Sequence, residues 1–182
     1  MTEIINWRAM TEIIRRPGKW TRMKAGAHMP HFGLIDEDAL GPVEGPLMRA
    51  KLHIRGGRRR FERGKFTDGI LAVYDALCSA MQWYIAAPER MRKLRVKKSD
   101  DLLNDRNLYA VLVRSRVLDG SFDFEEMNAL VARALSEEIR DFDWRGFMGR
   151  LVPVFTQLGV MPFDEKILPE EKPEPFLKKP AS

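Results

Sequence analysis

Apolar residues recur along this chain at helical spacing. Ile70, Val73, Tyr74, Leu77, Met81, Tyr84 and Ile85 make one stripe, with Cys78 beside it, and Pro88 closes the segment. Thr67 is the expected N-cap of that helix, with Asp68 in the first turn, where an acid complements the helix dipole. Asp123 opens a second stripe of Phe124, Met127, Leu130, Val131, Ala134, Leu135 and Ile139. A third holds Trp144, Phe147, Met148, Leu151, Val152, Phe155 and Leu158; it stops at Gly159, and Pro153 predicts a kink. A shorter run with Leu108, Tyr109, Leu112 and Val113 follows the N-terminal signal Ser99-Asp100-Asp101 and stops at Asp119-Gly120. Pro46 suits a first helical turn, which predicts a basic helix over Leu47–Arg63, weakened by Gly56-Gly57. No segment sustains two-residue alternation. The expected fold is therefore all-α, a helical bundle of about five main helices.

The flanks read differently. Residues 1–45 are expected to hold a short helix at 2–16 and then an extended arm broken by Gly26, Pro30, Gly33, Gly41 and Pro42. The bundle proper is expected over 46–159. Residues 160–182 contain five prolines and predict an extended tail. Both flanks carry large apolar residues that need a surface to cover them. Trp7, Trp20, Met29 and Phe32 on the arm, and Phe163 and Phe176 on the tail, are the candidate anchors for a partner protein or a second copy of the chain.

The run Gly57-Arg58-Arg59-Arg60-Phe61-Glu62-Arg63-Gly64-Lys65-Phe66, continued by Gly69, Tyr74, Ala76 and Leu77, resembles a single tetratricopeptide-repeat hairpin. The same pattern is similar to the opening of HEPN-type helical bundles. The first resemblance implies a Gly64 turn, a Phe66 wedge and close helix approach at Gly69 and Ala76. Gly69 and Arg60 depart from the repeat pattern, which favours alanine and an aromatic there, and the hairpin occurs once. HEPN ribonucleases would place an Arg and a His, four to six residues apart, on a late helix. Here that spacing occurs at Arg22 and His28, ahead of the bundle, so the catalytic pair is not expected.

Charge sharpens the picture. The 182 residues carry 31 Lys+Arg and 26 Asp+Glu, a net +5. The sum is uneven along the chain: residues 1–98 hold 20 basic and 10 acidic residues, and residues 99–182 hold 11 and 16. Three clusters dominate the basic half. Arg58, Arg59, Arg60 and Arg63 crowd the end of the first bundle helix, Arg92 and Arg95 lie among lysines after the second, and Arg15–Lys24 lie in the arm. Such clusters can meet an anionic partner, phosphates included, or the chain's own acidic half.

Other chemistry is sparse. The single cysteine, Cys78, excludes an internal disulfide, and on the stripe it reads as a small buried hydrophobe. His28, His31 and His53 are too few for a zinc site of four ligands, and His53 reads as a polar-face residue. No phosphate loop follows a strand, and adjacent carboxylates diverge by about 100° around a helix. No cofactor, metal or catalytic residue is therefore expected. An assembled site would require a deep pocket holding Tyr74, Cys78 or His53. No run approaches the ~20 apolar residues of a membrane span, which makes a cytoplasmic protein the expectation. The reading that follows is a non-catalytic helical adaptor or subunit that binds protein. Its alternative is a nucleic-acid-binding helical protein using the basic half.

Overall fold

A computed structural model describes residues 34–170, and these form six α-helices with no strand. The expected helix at 2–16, the Arg15–Lys24 cluster, the Arg22/His28 pair, His31, the anchors Trp7, Trp20, Met29 and Phe32, and Phe176 on the tail lie outside the described residues.

Helix α1 spans Glu37–Glu62 and begins ten residues before the sequence pattern places it. Asp36 caps it by accepting from the Ala39 N–H, and the helix breaks once, at Gly41, where φ is +77°. That left-handed angle suits glycine, and Pro42 then starts the long segment, where its missing N–H costs nothing. The sequence reading had the right signal on the wrong proline: Pro46 sits inside the helix. Arg49 reaches back across the break to form a two-point ion pair with Glu37.

After the Gly64 turn (φ +73°), α2 spans Phe66–Ala86 and runs back along α1. Every other helix in contact with the hairpin packs against α2, so α2 is the axis of the fold. Two glycines set the α1–α2 spacing. A β-carbon on Gly57 would fall 2.5 Å from Val73 Cγ1, and one on Gly69 would fall 2.5 Å from the Phe61 ring. Gly57, which the sequence presents as a helix-weakening residue, is thus a packing residue. Phe61 in turn stacks on Trp144 and meets Phe142 and Phe147, which join the hairpin to the far end of the chain.

The short helix α3 (Pro88–Met91) leads into an irregular connection at 92–104. Helices α4 (Asp105–Arg114), α5 (Phe124–Ser136) and α6 (Trp144–Gln157) follow, capped by Asn104, Asp123 and Asp143. Thr67 does not cap α2; its hydroxyl accepts from the Ile139 N–H at 2.8 Å instead. Asp100 and Asp101 likewise precede the helix they seem to announce. Pro153 lies within α6, which runs on to Gln157 before Gly159 ends it. The core is continuous, from Ile54 and Phe61 through Leu77 and Met81 to Leu112, Met127, Leu151 and Phe155. No helix among the described residues is long and apolar enough to cross a membrane.

The first part of the tail belongs to the fold. Val160 and Leu168 are buried, Phe163 packs at the core edge, and Glu165–Ile167 form a 3-10 turn capped by Asp164.

Candidate interaction surfaces

The α1–α2 hairpin separates the two described basic clusters. Arg58, Arg59, Arg60 and Arg63 lie where α1 ends, beside the start of α2, whereas Arg92 and Arg95 follow the other end of α2. A helix of 21 residues is about 30 Å long, so the clusters do not merge.

The α1 cluster is largely occupied by the chain itself. The Arg58 guanidinium pairs with Glu165 in the tail and lies 3.8 Å from Glu62. Arg55, one turn earlier, is buried and donates to the Pro169 carbonyl at 2.5 Å. Lys51 Nζ lies 6.0 Å from the centre of the Phe163 ring. Arg60 folds back to donate to the Gly56 carbonyl, Arg59 is half-buried, and Arg63 is exposed. Lys51, Arg55 and Arg58 follow one another at spacings of four and three residues, which puts them on one face of α1. Phe163 is the tail anchor that the structure places, and it rests on the chain's own domain.

The second cluster is open. Arg92, Lys93, Arg95, Lys97 and Lys98 are all exposed, and so is Arg116. Ser115 Oγ accepts from the Arg95 N–H at 2.8 Å, which brings Arg116 alongside. Arg114 turns inward, donating to the Arg95 carbonyl and pairing with Asp100. Asp100 also accepts from the Lys97 N–H, and these bonds together hold its carboxyl below the usual range. The turn therefore has its own carboxylate neutralised at its base. Arg92, Lys93, Arg95 and Arg116 make no ion pair among the described residues.

A polar seam lies between α1, α2 and α4, and sequence reading missed most of it. His53 is fully buried, not a polar-face residue, and its Nδ1 lies 3.7 Å from Asp75 Oδ2. Burial pushes the Asp75 carboxyl up to about 6; Arg49 opposes this and Asp105 adds to it. The adjacent Tyr74 donates to Asp105 at 3.4 Å, and Cys78, one turn along the helix, lies beside both. Burial raises the Cys78 thiol well above its usual range, and Asp105 raises it further. A thiol held protonated by a neighbouring carboxylate is a poor nucleophile. Tyr74, Cys78 and His53, the residues whose meeting in a pocket would signal an assembled enzyme site, do come near one another through Asp75 and Asp105. A cleft of about 400 Å³ lies elsewhere, between α4 and the 120–125 loop, lined by Arg106, Tyr109, Phe122 and Phe124 and bridged by an Arg106–Glu125 pair. No group of three or more His, Cys, Asp or Glu among the described residues is arranged to hold a metal ion.

Asp75 and Asp105 carry no motif by which the sequence could mark them. Arg58 did carry a signal, since the acidic tail offered its pairing with Glu165, whereas Arg55, on the same helix face, meets a backbone carbonyl that no sequence pattern marks. Compared with known protein families, with curated proteins and with solved structures, the chain matches none.

Proposed function

We propose that this chain is a non-catalytic helical adaptor that docks an acidic partner protein through the Arg92–Lys98 turn and the neighbouring Arg116. The observation that carries the reading is the turn itself. Its cations project from a connection braced by Arg114, and four of them lack a carboxylate among the described residues. Brought together on a rigid frame, like charges repel unless an anionic surface meets them.

A protein suits this surface better than a nucleic acid does. A polyanion track needs cations in series, but the α1 arginines lie about 30 Å away at the other end of the hairpin, and the tail engages two of them, Arg55 and Arg58. Stacking platforms are also missing from the turn. Its apolar residues, Leu94 and Val96, are half-buried against the core, and the Trp83 indole, in the last turn of α2, is covered by the Arg90 guanidinium at 4.0 Å.

Native co-purification of the full chain with lysine cross-linking tests the proposal. The expected result is a stoichiometric partner protein cross-linked to Lys93, Lys97 or Lys98 and lost in an R92E/R95E variant. Co-purified nucleic acid, removed by nuclease and by the same variant, would replace this reading with the nucleic-acid one.

A further inference from the structure

We infer that the α1 face bearing Lys51, Arg55 and Arg58 is a second docking site, a peptide groove that the chain's own Phe163–Pro169 segment occupies in cis. This rests on the adaptor reading and names a further class of partner: a linear acidic segment of the tail's chemistry. The occupant shows what the groove recognises. An aromatic ring lies beside Lys51, a carboxylate two residues on pairs with Arg58, and a leucine three residues further is buried. The backbone carbonyl after that leucine takes the Arg55 guanidinium. The pattern is aromatic-x-acid-x-x-Leu-Pro.

The two sides of this contact are held unequally. The groove side belongs to α1, which is packed along α2 and rigid. Arg55, on the same face of that helix, is 2% exposed beneath the segment and donates to its Pro169 carbonyl. The strap side is light. Ile167 is 69% exposed, Leu168 is the one buried residue of the 3-10 turn and its flanks, and the Arg58–Glu165 pair is open to solvent at 44% and 28%. Solvent-exposed ion pairs stabilise weakly, and segments with few buried contacts open first. A cationic face carried by a well-packed helix, with a lightly held acidic occupant, is suited to exchange. Because the strap is tethered, it competes at an effective concentration on the order of millimolar. A partner segment therefore binds in earnest only when the strap is weakened or when it adds contacts of its own. The groove is thus self-shielded.

A labelled peptide of residues 160–170 serves as the probe, with the full-length chain as receptor. Binding by anisotropy is expected to be at least tenfold tighter for an E165A/L168A chain than for wild type, since the cis copy no longer competes. Adding R58E to that chain should cost at least tenfold, whereas R92E/R95E should leave peptide binding unchanged, which separates this site from the turn. Equal or absent peptide binding in wild type and E165A/L168A, with helical circular dichroism intact, would overturn the inference. Loss of helicity in both E165A/L168A and E165A alone would also overturn it, by making the strap a structural element. A wild-type dimer by light scattering that E165A/L168A dissolves would assign the groove to a second copy's tail and overturn the partner assignment.

Discussion

At Gly69 the Phe61 ring occupies the space that any side chain would need. Alanine is normally the better helix former by about 1 kcal/mol, yet here overpacking against Phe61 should win. Gly69→Ala is expected to lose about 1–3 kcal/mol in urea unfolding. Gly149, on the exposed face of α6 with open space around it, is the control, and Gly149→Ala should gain up to about 1 kcal/mol. Asp75 makes a pH statement at the same scale. Its carboxyl moves from an ordinary 3.8 to about 6, chiefly through burial, so the folded chain keeps a proton that the unfolded chain has lost. Stability from this group is full below about pH 4 and falls as the pH rises through 6. Asp75→Asn is expected to flatten that fall and to exceed wild type by about 1–2 kcal/mol at pH 7.5, measured by urea unfolding across pH. Gly69 is marked in the sequence, through the hairpin resemblance, as a point of close helix approach, and the Phe61 ring is what comes close. Asp75 is not: a lone aspartate on a helix reads as solvated.

Among the elements, the helices were legible because their apolar stripes are what they bury. Ile70 through Ile85 and Phe124 through Ala134 line the core as the periodicity requires. The caps were legible where a short polar side chain had no competing use, as at Asp123, which accepts from the N–H groups of Glu125 and Glu126. They failed where a distant backbone claimed the side chain. Thr67 serves the Ile139 N–H, seventy-two residues away, and no local pattern encodes such a bond. Because Ile139 is buried, Thr67→Val should strand that donor and cost about 1–3 kcal/mol, whereas Thr67→Ser should restore most of it. Equal stability of the two variants would show that the bond contributes nothing. The start of α1 was misread because two prolines, Pro42 and Pro46, fit the same rule. Gly41, by accepting a left-handed angle, decides between them.

On the scale of the whole molecule, α2 is the element on which the rest is assembled. Its buried residues, Ile70 to Met81, meet α1 on one side and the later helices on the other. Amide exchange should therefore be slowest across Leu52–Phe61 and Ile70–Met81 and fastest across Arg92–Leu103, read by mass spectrometry of peptic fragments. Protection of the turn equal to that of α2 would contradict its exposed, irregular character. The charge polarity of the sequence allowed either an anionic partner or mutual attraction of the halves, and it could not say which arginines meet which acids. That depended on where the tail returned, over Arg55 and Arg58, which left the Arg92–Lys98 turn exposed. The exposure of the turn bears on chain continuity as well as on docking. It is the seam between a +10 portion and a −5 portion that are already joined by Arg58 with Glu165, Thr67 with Ile139 and Tyr74 with Asp105. A brief trypsin cut after Lys97 or Lys98 should give two fragments that co-elute in native gel filtration and part only in urea. The two portions would then behave as partners that happen to be encoded in one chain.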